Sequence, residues 1–202
     1  MQSVTDQFGP IDIYLFDQIL RGRIQPGMRI VDAGCGAGRN LVYFFRNGYE
    51  VFGADADPNA IASVQLLAAR LAANLPATNF HVEPVEHMSF DTACADLVIS
   101  SAVLHFARDE DQFNAMLRET WRVLRPNGLL FARLASTIGM ETRMQRISGR
   151  RYRLPDGSER FLVDEAMLMS LTHELGGRLL DPLKTTVVQH QRCMTTWVLR
   201  KT

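Results

Sequence analysis

The chain has 202 residues, of which 47% are hydrophobic and 22% are charged. This length suits one globular domain with an apolar core, and we predict a single domain over residues 1–202. Because 22 basic residues balance 22 acidic ones, the charge gives no support for a nucleic-acid partner or an anionic membrane surface.

The cysteines and the N-terminus bear on the cell compartment. Cys35, Cys94 and Cys193 are far apart and lack a CxxC spacing, so they are predicted to be free thiols, with neither a disulfide framework nor a bound metal. The first residues lack the basic and apolar regions of a signal peptide. No apolar run approaches the ~18 residues of a membrane-spanning helix. We therefore predict a cytoplasmic protein without membrane association.

Residues 1–25 are predicted to form a helical cover, with one helix over "DQFGPIDIYLFDQIL". Two interpretations are open. The helix closes over a bound ligand, with Phe8 and Tyr14 as apolar cover, or it is an ordinary packing helix.

Apolar runs then alternate with amphipathic segments. The runs predicted as strands are "MRIVDAG", "EVFGADAD", "TNFHVEPV", "ADLVISS" and "GLLFARLAS". The segments predicted as helices are "RNLVYFFRNGY", "PNAIASVQLLAARLAANL" and "DEDQFNAMLRETWRVL". This alternation is typical of βαβ units and predicts a mostly parallel sheet covered on both faces.

The C-terminal third has a different character. Residues 136–162 are polar and rich in arginine, with glycines, one proline and an Asp-Gly turn, so we predict a long loop or a partly ordered lid. Its arginines either grip an anionic substrate or form a solvated surface. "VDEAMLMSLTHELGG" is predicted as a helix that ends at Gly176 and Gly177. "LLDPLKTTVVQHQ" and "RCMTTWVLRKT" are predicted as an antiparallel strand pair, with Lys184, His190 and Arg192 as structural or surface residues.

A glycine-rich turn, "GCGAGRN", follows the first predicted strand. A strand, such a turn and a helix together form a nucleotide cradle, because the backbone and the helix N-terminus can approach the ligand closely. Asp55 lies 19 residues after Gly36, at the end of the next predicted strand, where a carboxylate binds ribose hydroxyls.

The details of the turn favour one cofactor. Position 39 is arginine, where the dinucleotide pattern G-x-G-x-x-G requires glycine. Asp32 would repel a pyrophosphate, although it can orient water or an ammonium group. A cofactor with a ribose and a cationic amino-acid end fits better than NAD or FAD, and S-adenosylmethionine (SAM) has both.

Four segments in order, "VDAGCGAGRN", "VFGADADPNAI", "FDTACADLVISSAVLHF" and "RETWRVLRPNGLLFARL", resemble the class I SAM-dependent methyltransferases over roughly residues 28–135. "GRN", "NGYEV" and "TTWVLRK" resemble the branch of tellurite-resistance and thiopurine-type methyltransferases. The resemblance implies a Rossmann-like three-layer α/β/α sandwich with a seven-stranded, mostly parallel sheet whose last strand is antiparallel.

The resemblance also implies the site. SAM is the expected cofactor and S-adenosylhomocysteine the product. The predicted cofactor-binding residues are Asp32, Gly34, Gly36, Asn40, Asp55, Ala56, Val85, Glu86 and Ser101. Glu83 and Ser100 are the alternatives to Glu86 and Ser101.

The predicted reaction is methyl transfer to a small-molecule acceptor, for which an anion is one option. His105 is the candidate general base, or else a packed loop residue. Arg133 either faces the acceptor or forms an ion pair. A non-catalytic SAM-binding sensor and a Rossmann oxidoreductase are the competing hypotheses. Both a monomer and a homodimer remain open.

Overall fold

The computed structural model of the protein describes residues 3–202. The helices are α1 (Val4–Phe8), α2 (Ile13–Leu20), α3 (Val42–Arg46), α4 (Pro58–Leu71), α5 (Glu110–Val123) and α6 (Glu165–Glu174). The strands are β1 (Arg29–Ala33), β2 (Glu50–Asp55), β3 (Phe80–Val82), β4 (Ala95–Ser101), β5 (Leu124–Ala135), β6 (Gln145–Ser148), β7 (Arg151–Arg153), β8 (Glu159–Phe161), β9 (Gly177–Leu179), β10 (Lys184–Val188) and β11 (Arg192–Lys201). Among these helices, none has the length and apolar character needed to span a bilayer.

The main sheet has the order β10-β11-β5-β4-β1-β2-β3. The pairs from β3 to β5 are parallel, whereas β11 is antiparallel to β5 and to β10. This arrangement confirms the predicted seven-stranded sheet with an antiparallel last strand. The predicted antiparallel pairing of the two C-terminal segments is confirmed as well.

The central strands are buried on both faces, and alternate residues face different helices. Ile30, Leu97 and Phe131 pack in one apolar cluster with residues of α2, α3 and α4. Their neighbours Val31 and Val98 belong to a second cluster with residues of α5 and α6. The period of two side chains along each strand therefore produces the three layers.

The edge strand beside β11 consists of two pieces. Leu179 of β9 pairs with Leu199 of β11, and Lys184 of β10 pairs with Thr196 of β11. Residues 180–183, which include Pro182, interrupt the strand, since proline cannot donate to a strand ladder. The sequence predicted this edge as one strand.

Residues 136–162 differ from the predicted loop. Strands β6, β7 and β8 form a separate three-stranded antiparallel sheet. Phe161 and Leu162 at its end are fully buried, whereas every residue of β6 is exposed. The segment is thus anchored at its C-terminal end, and its first strand lies in solvent.

The N-terminal segment forms two helices where the sequence predicted one. The break lies at Gly9, which has a φ of 61°, and Pro10. Phe8 stacks on Tyr43 with 4.9 Å between ring centroids, and Tyr14 donates or accepts a 2.6 Å hydrogen bond with Thr186. Both aromatic residues pack the helices onto the fold, and closure of the helix over a bound ligand stays a prediction.

Candidate functional site

A cavity of about 580 Å³ opens at the carboxyl ends of β1, β2 and β4, and we call it the switch-point cavity. The chain order reverses between β1 and β4, and open α/β sheets bind ligands outside the strand ends at this point. The volume is in the ordinary range for small-molecule sites. Eight of the nine predicted cofactor residues line it: Gly34, Gly36, Asn40, Asp55, Ala56, Val85, Glu86 and Ser101.

The structure shows why glycine is needed at each of the three glycine positions of the turn. A side chain on Gly34 would collide with Val103, and one on Gly38 would lie 2.7 Å from Val64. Gly36 faces open space. All three have a positive φ, of 84°, 51° and 81° in chain order, which favours glycine. Backbone conformation therefore favours glycine at every one of these positions, and packing adds a second reason at Gly34 and Gly38.

Asp55 is held by the backbone at the edge of the cavity. Its carboxylate accepts a 2.8 Å hydrogen bond from the Gly36 N–H and a 3.0 Å bond from the Asp57 N–H. A carboxylate can accept about four hydrogen bonds, so half of this capacity is left for a ligand. The 19-residue spacing in the sequence thus corresponds to a direct contact between the glycine turn and the end of β2.

Of the two acidic candidates after β3, only Glu86 lines the cavity. Its carboxylate accepts a 2.7 Å hydrogen bond from Gln112 on α5. Glu83 instead accepts a 2.8 Å bond from the Ser89 N–H. Gln112 and Met116 add a wall that sequence reasoning missed, although their i, i+4 spacing on a predicted helix was a usable signal.

Asp32 is the predicted cofactor residue that does not line the cavity. It lies in β1 with 2% of its surface exposed. Burial, with a smaller contribution from the nearby Asp55, raises its pKa to about 7 against the opposing effect of the Arg39 charge. Contact with the cofactor remains a prediction for this residue.

Asp12, which the sequence analysis missed, organises the wall next to the cavity. Its side chain is 1% exposed, and its Oδ2 lies 3.2 Å from both the Ser101 hydroxyl and Nη1 of Arg133. Its backbone N–H donates to the Asn40 side chain at 3.0 Å. Ser100 is fully buried outside this cluster, so Ser101 is the serine at the cavity.

His105 lies in a short 3-10 turn, Leu104–Phe106, with 5% of its surface exposed. Its Nδ1 accepts a 3.1 Å hydrogen bond from the Ala135 N–H, which assigns the ring proton to Nε2. Burial, together with the charges of Arg160 and Arg133, lowers its pKa to about 4. The ring is therefore neutral and offers a donor, which is unfavourable for a general base.

A second cavity of about 250 Å³ lies beside His105 and Arg133, and we call it the arginine cavity. Arg160 and Arg192 also line it, and Arg192 is exposed at the surface, as the sequence indicated. Arg133 lines this cavity and forms the ion pair with Asp12, whereas its contact with an acceptor stays a prediction.

Most lid arginines have other partners. Arg150 pairs with Asp164 at 2.9 Å, and Arg151 and Arg153 pair with Glu159 at 3.5 and 2.8 Å. These ion pairs match the solvated-surface interpretation. Only one of the six arginines within residues 136–162 lines the arginine cavity, and that is Arg160. The other five are Arg143, Arg146, Arg150, Arg151 and Arg153.

Fold and cavity together define a doubly wound α/β protein with a ligand site at its switch point, and comparisons with known proteins narrow this class. A family model described as a methyltransferase domain matches residues 31–132, half of the chain. The chain belongs to this methyltransferase family. The resemblance to class I SAM-dependent methyltransferases is thereby confirmed, whereas the narrower tellurite and thiopurine branch stays a prediction.

Individual relatives agree with the family. An uncharacterized methyltransferase of Synechocystis sp. is 30% identical over 106 residues, which are 52% of this chain and 46% of the relative. The chain thus spans less than half the length of that protein. A ubiquinone biosynthesis O-methyltransferase of Mesorhizobium japonicum is 28% identical over 213 residues, covering 96% of this chain and 80% of the relative.

Solved structures share the fold. The 1,6-didemethyltoxoflavin-N1-methyltransferase of Burkholderia thailandensis was crystallised with 1,6-didemethyltoxoflavin and S-adenosylhomocysteine. It superposes with a TM-score of 0.68 at 21% identity and covers 91% of this chain and 75% of its own. At this identity the match establishes the common architecture.

Proposed function

We propose that this protein binds SAM in the switch-point cavity and transfers its methyl group to a small molecule in the arginine cavity. The observation that carries the proposal is the meeting of the two cavities at Ala102, which lines both. Ala102 follows β4 with a φ of 66°, and its N–H donates to the Arg133 carbonyl at 2.7 Å. A donor and an acceptor bound on the two sides of this residue are neighbours.

The residues of the switch-point cavity suit SAM. Asp55 has free acceptor capacity for ribose hydroxyls, and Glu86 and Val85 lie where the resemblance expects the adenine. The open space at Gly36 leaves the backbone accessible to the ligand. Arg39, whose guanidinium lies 3.1 Å from the Ser101 hydroxyl, occupies the position where a dinucleotide site has glycine, and this argues against NAD.

The protein's own contribution is positioning. The sulfonium of bound SAM supplies an activated methyl group, so no nucleophile from the enzyme is needed. Holding two reactants in line and excluding water accounts for much of the rate in such sites. The β4 end and the short turn after it form the common wall that sets this geometry.

The second candidate function is a non-catalytic SAM sensor. The arginine cavity makes this function less suitable, because a sensor needs no acceptor site. The test is formation of S-adenosylhomocysteine from SAM with a panel of small thiols, chalcogen anions, halides, phenols and carboxylates. Turnover with any acceptor supports the enzyme and would also test the tellurite and thiopurine branch. SAM binding without turnover across the panel would favour the sensor.

A further inference from the structure

The arginine cavity carries an excess of positive charge. Arg133, Arg160 and Arg192 line it, together with one carboxylate, Asp156. Oδ2 of Asp12 lies 3.2 Å from Nη1 of Arg133 and neutralises the charge of this arginine. Within residues 3–202, neither Arg160 nor Arg192 forms an ion pair with a carboxylate, so the charges that face the cavity from all sides leave one positive charge without a counterpart.

The acidic residue of the cavity is already engaged. Asp156 Oδ1 accepts hydrogen bonds from the Ser158 hydroxyl at 2.6 Å and from the Ser158 N–H at 2.9 Å. The Ser158 hydroxyl, followed by the charges of Arg192 and Arg160, holds the pKa of Asp156 below its usual value despite the opposing effect of burial. Asp156 is thus ionised, and it is oriented by its own turn.

One guanidinium nitrogen of the cavity-lining Arg133 has no partner. Its Nε is buried without a hydrogen-bond partner in the described part of the chain, and buried donors are normally satisfied by a ligand or water. The Nη1 of Arg160 donates to the carbonyl of its neighbour Glu159 at 2.7 Å, and its guanidinium lies 4.7 Å above the ring of Phe106. Stacking of this kind fixes the plane of a guanidinium.

The remaining wall is apolar and the space is small. Leu154, Val188 and Met194 line the cavity, and Val188 pairs with Arg192 across the β10–β11 hairpin. The cavity volume of about 250 Å³ is roughly the share of eight water molecules in the liquid. Apolar side chains beside planar donors fit an organic anion better than a free inorganic one, because only the former has an apolar part to bury.

We infer that the arginine cavity binds a small carboxylate-bearing acceptor, with Arg160 and Arg192 as its anchor. This inference rests on the proposed methyl transfer, because it assigns the acceptor side of that reaction. The carboxylate lies against the guanidinium groups, and the rest of the molecule extends along the apolar wall toward Ala102. Guanidinium and carboxylate are matched in geometry and form paired, charge-assisted hydrogen bonds.

The test is calorimetric and proceeds in two stages. Binding of S-adenosylhomocysteine to the protein is measured first. The loaded protein is then titrated with acetate, benzoate, phenylacetate and succinate, and with the amide that corresponds to each. We expect at least one carboxylate to bind at least tenfold more tightly than its amide.

Three variants locate the anchor. Arg160→Gln and Arg192→Gln are expected to weaken that carboxylate by tenfold or more while leaving S-adenosylhomocysteine binding within twofold. Arg153→Gln is the matched control on the same lid, because Arg153 pairs with Glu159 outside the cavity, and it is expected to have no effect. Thermal unfolding of each variant checks that the fold is retained.

Failure has two distinct forms. If S-adenosylhomocysteine does not bind, the proposed function is wrong. If it binds but no carboxylate exceeds its amide, or if Arg153→Gln weakens binding as much as the other two variants, the inference about the acceptor is wrong and the proposed function still stands.

Discussion

The hydrogen bond between the Ala135 N–H and Nδ1 of His105 limits what this histidine can do. An imidazole that accepts at Nδ1 and carries its proton on Nε2 can donate to a ligand, but it has no free lone pair with which to remove a proton. Its position in the sequence after β4 suggested a general base. The hydrogen bond from the β5 backbone, which the sequence does not show, leaves the ring with a donor at Nε2. An acceptor that needs no deprotonation by the enzyme is consistent with this geometry.

His105 also makes folding depend on pH. The unfolded ring binds a proton below pH 6.5, whereas the folded ring does so only near pH 4, so the folded state loses stability as the pH falls through this window. We expect a contribution of about 2 kcal/mol to be lost between pH 8 and pH 5. His105→Asn, which retains an acceptor for the Ala135 N–H, should remove it.

Urea unfolding at pH 5 and pH 8 measures this contribution, with His173→Asn on the exposed surface of α6 as the matched control. The control should keep the wild-type difference between the two pH values. If His105→Asn shows the same difference in stability between pH 5 and pH 8 as the wild type, the buried neutral ring of His105 is not the source of that difference.

The ionisation of Asp32 changes the folding stability with pH in the opposite direction. Its unfolded carboxyl ionises near pH 3.8, but in the folded state burial delays ionisation to about pH 7, so stability falls as the pH rises through this window and the loss is complete above it. The full loss corresponds to about 4 kcal/mol. We therefore expect Asp32→Asn to be more stable than the wild type at pH 8 and nearly equal to it at pH 4.

Chemical unfolding across this pH range tests the expectation, and the exposed Asp57→Asn serves as the control. A variant that is no more stable than the wild type at pH 8 would show that Asp32 carries no burial penalty.

At the level of elements, α2 is attached to the sheet by its first residues. Asp12 caps the helix through the Tyr14 N–H at 3.0 Å and uses its other oxygen for Ser101 and Arg133. The N-terminal segment thereby contacts the ends of β4 and β5, where the two cavities meet. The segment consequently holds part of the wall between the two proposed ligands.

Asp12→Ala should be costly, because it leaves the Arg133 guanidinium without its buried counter-charge. Removing one partner of a buried ion pair costs about 3 kcal/mol or more. Asp57→Ala is a suitable comparison, since Asp57 caps α4 in the same way at an exposed position, and loss of such a cap costs about 1 kcal/mol. Urea unfolding of the two variants measures the difference; equal losses would mean that the Asp12–Arg133 pair adds nothing beyond the cap.

The regular core elements were predictable because their local patterns agree with their burial. β4, "ADLVISS", is apolar enough to be buried at every position, and α4 begins with Pro58 after the cap Asp57, as expected for a helix start. The exposed strand β6, by contrast, has no apolar alternation, so its pairing with β7 left no sequence signal. Asp12 was missed for a related reason, because its partners lie 89 and 121 residues away along the chain.

At the scale of the whole molecule, the switch-point cavity and the arginine cavity are adjacent, because Ala102 lines both. Phe106 lines the switch-point cavity, and the Arg160 guanidinium above its ring lines the arginine cavity. The small sheet that carries Arg160 is tied to the main body by the buried Phe161, which stacks on Phe113 of α5 with 4.7 Å between centroids. Part of the wall of the proposed acceptor site, including Arg160, thus lies outside residues 31–132, the part matched by the family model.

The central claim, that the switch-point cavity is a SAM site organised by Asp55, is tested most directly by calorimetric titration with SAM, S-adenosylhomocysteine and NAD. We expect the wild type to bind the first two and not NAD. Asp55→Asn should weaken both by 1–3 kcal/mol, about five- to 150-fold, through loss of charged hydrogen bonds, whereas Asp57→Asn should bind as the wild type does. Binding of NAD, or equal binding by wild type and Asp55→Asn, would contradict the account.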